Sequence, residues 1–194
     1  MPETGYFWLY RPMAYAYLGS KAFYGRQGQS QSPSWDSESS DKTLSLYNEL
    51  TPLWEPGVLG LGIDQADQSF ASGKAAWDVG GTFTLSSLTT FGLSTDDVMV
   101  FPVPAASGGK LSKLSYQASP LVGGSITTSS KHKAQALSFL KYVTSVTGAE
   151  SFAKNAVDLP ATTIPASALS SPLLRQLVGL VTPTGSGKSF NPND

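Results

Sequence analysis

The chain has 194 residues, enough for one domain of ordinary size with a buried core. Charged residues make up only 14% of it, the net charge is −1 and no basic run could track phosphates, which excludes a nucleic-acid partner held by charge. There is no cysteine, so neither a disulfide framework nor a thiolate metal site can form.

No apolar run approaches the roughly 20 residues of a membrane span, and the N-terminus lacks the basic patch and apolar core of a signal peptide. If the protein is exported, its export signal is expected outside this chain.

The first segment, residues 5 to 24, holds eight aromatics: Tyr6, Phe7, Trp8, Tyr10, Tyr15, Tyr17, Phe23 and Tyr24. Trp8, Arg11 or Pro12, and Tyr15 fall at helical spacing, which predicts a helix packing rings into a core. Tyr15, Tyr17 and Phe23 are assigned to that core. Tyr6, Trp8 and Tyr10 divide evenly between core packing and lining a ligand cleft. Arg11 is a fork donor suited to a ligand, although such an arginine more often makes a surface pair.

Residues 25 to 40 are rich in Ser and Gln, with Gly25, Gly28 and Pro33 as breakers, and read as a loop. Asp36 to Asp41 offers several N-caps for a helix with Leu44, Tyr47, Leu50 and Trp54 on its buried face, ended by Pro52. A second helix is predicted over 64 to 72. Gly73 stops it, because a residue without Cβ adopts the left-handed cap at little cost.

Ala75 to Val79 has the length and apolar character of a short buried strand. Gly80 and Gly81 then let the backbone turn sharply, and Phe83 follows as a presented ring. A helix over 85 to 91, stopped by Gly92, would aim free N-terminal amides at the same space. Val98 to Val103 reads as a strand, with Pro102 and Pro104 confining it to an edge or crossover. A further strand or pair of strands is expected over 114 to 126, where Gly123 and Gly124 permit either a bulge or close approach of a ligand.

Ser129 or Ser130 is expected to cap a helix over 131 to 144 with Ala134, Leu137, Leu140 and Tyr142 or Val143 inward. Thr147 and Glu150 have capping-box spacing, with Phe152, Ala153 and Ala156 as the buried side of the next helix. Leu159-Pro160 and Ile164-Pro165 return the chain. Pro172 opens a last helix carrying Leu173, Leu174, Leu177 and Val178, and the tail from Thr182 is expected to fray.

Candidate chemistry is sparse. Gly185-Ser186-Gly187-Lys188-Ser189 resembles a phosphate loop but lacks the first glycine, the preceding strand and the following helix. His132, the one histidine, lies between two lysines at an exposed helix start. Among Glu55, Asp64, Asp67, Asp78, Asp96 and Asp97, only Asp78 falls in the buried strand, and no local spacing sets a second carboxylate beside it. Asp78 is therefore read as an acceptor for backbone or ligand hydroxyls. No catalytic residue, metal cluster or cofactor site is expected. What remains is rings and neutral polar groups, a combination that suits sugars, whose C–H faces lie on aromatic rings.

The run F-x-x-G-K-A-A-W-x-x-G-G-x-F, from Phe70 to Phe83, resembles the signature of extracellular solute-binding proteins of ABC importers, the sugar-binding family 1. The similarity continues through Val100-Phe101-Pro102-Val103-Pro104, Gly108-Gly109, Gly123-Gly124-Ser125-Ile126, Ser130-Lys131-His132-Lys133 and Phe139 to Ser145. Phe83 stands where the family commonly has a tryptophan that stacks on a sugar, and Trp77 where it has a methionine.

The resemblance implies an α/β, periplasmic-binding-protein-like fold of class II. It implies that the chain holds most of the C-terminal lobe plus one strand-helix insert of the N-terminal lobe. Residues 1–103 would be the first part of the C-terminal lobe, 104–159 the segment of the N-terminal lobe, and 160–194 the return and tail. The implied role is the capturing component of an importer, with no enzymatic activity. It would bind a sugar or oligosaccharide through Phe83, Tyr6, Trp8, Tyr10, Arg11, Asp78, Gly81 and Gly124, and deliver it to the transmembrane permease subunits. Its place would be extracellular or periplasmic, at the cell surface, held to the membrane only through an N-terminal lipoprotein-type anchor outside this chain.

A carbohydrate-active α/β enzyme domain and an interaction domain without a small ligand are the competing readings. In the implied arrangement an apolar face drawn from Leu121, Val122, Ile126, Leu137, Leu140, Val143 and Phe152 is expected to lie open to solvent.

Overall fold

The computed structural model describes residues 5–19, 22–23, 38–111, 115–117, 123–169, 171–181 and 188–190. Most of these residues are helical. A wide π turn, Gly5–Tyr10, runs straight into α1, Arg11–Leu18. Then come α2 (Glu38–Glu49), α3 (Ile63–Ala71), α4 (Thr84–Thr90), α5 (Lys133–Val143), α6 (Val146–Ala156) and α7 (Pro172–Val181). The strands β1 (Ser115–Gln117) and β2 (Lys188–Phe190) form a parallel pair in which Ser115 faces Lys188.

Two cores organise the described residues. In the first, Tyr10, Ala14, Tyr15, Leu18 and Phe23 are buried, with Tyr17, Tyr47 and Leu111 against them. Tyr15 and Phe23 meet edge to face at 5.6 Å, so the rings assigned to a core do pack there. The buried face of α2 differs from the expected one. Ser40 and Thr43 are fully buried, whereas Leu44 is 49% exposed. The small hydroxyl side chains take the buried register of α2, which apolarity alone does not reveal.

The second core joins distant parts of the chain: Leu85 of α4, Ala153 of α6, Leu169, and Leu173 and Leu174 of α7. Val98 and Val100 pack on it, and the Gln176 side-chain amide donates to the Val100 carbonyl at 3.2 Å. Ser171, just before Pro172, accepts a hydrogen bond from the Leu174 N–H at 3.4 Å and so caps α7. Val157 ends α6 at φ 50°, a left-handed conformation that costs a β-branched residue on the order of 1–3 kcal/mol. Its packing on the second core offsets this.

Gly73 stops α3 as expected, at φ 76°. Its N–H donates to the Phe70 carbonyl and that of Lys74 to the Ser69 carbonyl, a double closure that satisfies the last carbonyls of the helix. An added Cβ would meet open space, so a substitution acts through the backbone alone. Gly73→Ala is expected to lower stability by about 1 kcal/mol, read from urea unfolding, and an unchanged midpoint would refute the cap's role.

Other expectations are corrected. Ala75 to Val79 forms no ladder, and Trp77 is 70% exposed. The segment bends at Ala76 and has no neighbouring strand among the described residues, and without one no strand exists. Val98 to Val103 is assigned no strand beyond a single β-bridge residue at Val103, with Val98 and Val100 inward and Met99 and Phe101 outward. The exposed Trp77 and Phe101 rings meet at 5.3 Å.

None of α5 is buried: Leu137, Phe139, Tyr142 and Val143 are exposed, and Leu140 is half-buried. Phe152 of α6 is exposed too, and Ala149 with Ala153 forms its buried side. Leu121 and Val122 lie outside the described residues. The cap of α6 is Ser145, which accepts from the Gly148 N–H at 3.1 Å, so the Thr147–Glu150 box is not what starts that helix. The tail contributes β2, in which Lys188 and Ser189 of the rejected phosphate-loop motif sit in a strand. Residues 182–187 lie outside the described residues, as do most of the predicted loop residues of 25 to 40.

Candidate functional site

The site grows from the end of α3. The closure at Gly73 sends the chain back past that helix, and the segment 74–79 ends in Gly80 and Gly81. A Cβ on Gly80 would strike the Thr84 hydroxyl, and one on Gly81 would strike the Phe83 ring. Both positions therefore need glycine for close approach, and Gly81 seats the ring rather than offering a surface of its own.

Phe83 is half-buried and forms the N-cap of α4. Trp8, from the π turn before α1, lies edge-on to it at 5.7 Å with 61° between the planes. Two elements far apart in sequence thus bring two partly exposed rings together, an arrangement suited to the C–H face of a planar ligand.

The other predicted site residues fall elsewhere. Tyr10 is 4% exposed and meets Tyr47 edge to face at 5.5 Å, so it belongs to the first core. Arg11 is buried as well, with its guanidinium 5.3 Å from the Phe7 ring centroid and 5.8 Å from that of Phe23. It supports the aromatic segment from behind through cation–π contact. The Tyr6 side chain lies outside the described residues. Gly124 is exposed and lies against Leu140 of α5, where a side chain would collide, so its close approach serves packing. The α4 amides are not free: Thr84, Leu85 and Ser86 donate to the carbonyls of Gly81, Thr82 and Phe83.

Asp78 is the largest departure from expectation. Its Oδ1 accepts from the Val79 N–H at 2.8 Å, while Oδ2 is buried without a hydrogen-bond partner among the described residues. A second carboxyl does lie beside it. Asp67, 2% exposed on α3, is within hydrogen-bonding reach of Asp78. Burial, then the Asp78 charge, pushes the Asp67 carboxyl up to about 6, and burial raises Asp78 in the same direction. The sequence signal was the placement of both residues on either side of the Gly73 stop, which folds 67 and 78 onto each other. Carboxyls in mutual contact leave no room for the glycosidic bond that hydrolases place between groups about 5 Å or more apart.

Among the described residues no three His, Cys, Asp or Glu side chains gather as metal ligands. No described helix is long and apolar enough to cross a membrane. An open hollow of about 440 Å³ on α6, lined by Thr147, Glu150, Ser151, Lys154, Asn155 and Ala168, shares no residue with the ring site.

Comparison with known proteins agrees with the fold. A solved structure described as giving biochemical and structural insights into xylan utilization by the thermophilic bacterium Caldanaerobius polysaccharolyticus superposes with a TM-score of 0.76 at 23% identity. The match covers 100% of this chain and 50% of that one, so the chain spans half the length of its structural relative. No curated protein matches the sequence. The profile of bacterial extracellular solute-binding proteins matches residues 4–150. The chain belongs to the bacterial extracellular solute-binding protein family.

Proposed function

We propose that this chain is part of the solute-capturing component of an ABC importer, and that the solute is a carbohydrate. The observation that carries the reading is the Phe83–Trp8 ring pair on the double-glycine turn. The structural relative's description in terms of xylan utilization supports a saccharide as ligand. Phe83 offers the stacking face, Trp8 the side wall, and Gly81 the seat of the ring. Tyr10, Arg11 and Asp78 hold the aromatic lining from behind. Closure of two lobes around the sugar would let the complex dock on a membrane permease outside the cytoplasm, with a lipoprotein-type anchor as the membrane attachment.

The exposed apolar surfaces fit a larger whole. Met99 and Phe101 on one side of their segment and Val98 and Val100 on the other give it the two apolar faces of a strand in a covered parallel sheet. In the complete protein such a sheet would bury Trp77 and Phe101, and the surface of α5 would lie under the rest of the fold. The lobe division of 1–103, 104–159 and 160–194 is part of this proposal.

Thermal-shift screening of the full-length protein against monosaccharides, disaccharides and xylo-oligosaccharides tests the reading. Stabilisation by a saccharide without product formation is the expected result, and turnover or the absence of any shift refutes it. With the saccharide so found, Phe83→Ala is expected to weaken affinity by about 1 to 2 kcal/mol, the scale of ring burial and aromatic contact. Unchanged affinity would remove Phe83 from the site.

A further inference from the structure

Asp67 of α3 and Asp78 of the segment that leads to the ring act directly on each other. Each keeps its Oδ2 buried without a hydrogen-bond partner among the described residues, and so does the adjacent Thr84 Oγ1 at the foot of the glycine turn. The charged groups acting on Asp67 are Asp78 and Asp64, both acidic; Ser87 of α4 supplies a neutral hydrogen bond. Asp78 receives the Val79 N–H and the Asp67 carboxyl. No cation enters either environment among the described residues.

Two carboxylates have only acceptors, so a hydrogen bond between them requires a proton on one. With no cation to balance them, two buried negative charges in contact repel strongly, and the pair retains one proton. The tie formed is an acid O–H donating to a carboxylate, among the shorter and stronger hydrogen bonds.

What it ties together matters. On one side is α3, held by its own helical hydrogen bonds. On the other is the segment 74–79, which has no ladder partner among the described residues and leads directly into Gly80, Gly81 and Phe83. We propose that Asp67 and Asp78 hold one proton between them and act as positioning residues for the Gly80–Phe83 turn, so that losing the proton releases the turn and its ring.

The released proton passes to solvent, no other bond is made or broken, and the less buried Asp78 swings outward. The raised Asp67 carboxyl places the transition near pH 6, with the turn held below and loosened above. Only the consequence for ligand affinity rests on the reading of Phe83 as a saccharide platform. The hold on the turn does not.

The test is a pH titration of the isotopically labelled full-length protein, first without saccharide, following the backbone amide resonances of Gly80 and Gly81 from pH 4.5 to 8. The two are expected to shift together with a midpoint near 6. In Asp67→Asn, whose amide donates to Asp78 at every pH, they should stay at their low-pH positions. If that variant does not fold, Asp78→Asn supplies the mirror-image donor to Asp67 and should abolish the shift equally. Amides that do not move in the wild type, or that move identically in the Asn variants, overturn the proposal even if saccharide binds. Amides that titrate as expected support it even if no saccharide binds, and that outcome would fail only the ligand reading. Where a saccharide binds, its affinity should weaken above pH 6 by at most about tenfold per pH unit, the limit for one linked proton, and this dependence should vanish in Asp67→Asn.

Discussion

Leu174→Ala is expected to lower the stability of the protein by about 3 kcal/mol, within the range found for fully buried leucines. Leu174 is fully enclosed, in the core that joins α4, α6, α7 and Leu169. The lost methyl groups leave a cavity whose walls come from four separate segments and cannot collapse together. Urea unfolding should show a lower midpoint with an unchanged slope. A loss under about 1 kcal/mol would mean that the second core does not hold the molecule together. The matching test outside that core is Leu137→Ala in the complete protein. If the α5 face is covered there, it should cost about 2 kcal/mol, and if the face stays open, less than about 0.5 kcal/mol.

The second large effect is a dependence of stability on pH. The Asp67 carboxyl is raised in the folded protein to about 6 from 3.8, so between those values the folded state binds more protons than the unfolded one. The stabilising contribution is fully present below about pH 4 and is lost as pH rises through about 6, and Asp78 shifts in the same direction. The loss from pH 4 to pH 8 should be on the order of 2 kcal/mol. Asp67→Asn should flatten this part of the profile and be more stable than the wild type at pH 8. A wild-type profile that rises over the same window would contradict the assignment, because it would require a carboxyl lowered by folding.

The legible parts of this fold were those set by one residue's backbone chemistry. Gly73 and Gly92 end their helices at positive φ, and Pro172 opens α7, because these demands are local. The rings of Tyr15 and Phe23 were legible as core from helical spacing. Features set by partners far along the chain were not. Ala75 to Val79 has strand composition, yet a strand exists only when another pairs with it. Leu137 and Phe152 have the spacing of an inward face and yet are exposed, as the resemblance implied for that apolar surface. Burial of Ser40 and Thr43 is a helix register that hydrophobicity does not encode.

The candidate site divides along the same line. In the proposed site the double glycine marks Phe83, and the aromatic segment supplies the Trp8 ring beside it. Tyr10 and Arg11 are buried, Tyr10 against the Tyr47 ring and Arg11 near the Phe7 and Phe23 rings. The carboxyl beside Asp78 is not legible in local spacing, because the Gly73 closure lays the chain back on itself.

The most direct test of a carbohydrate held on this turn is a structure of the full-length protein with the saccharide that stabilises it most. A sugar ring lying with its C–H face on Phe83, in van der Waals contact and flanked by Trp8, is the predicted result. A saccharide bound elsewhere, touching neither Trp8 nor any residue from 78 to 83, would contradict it.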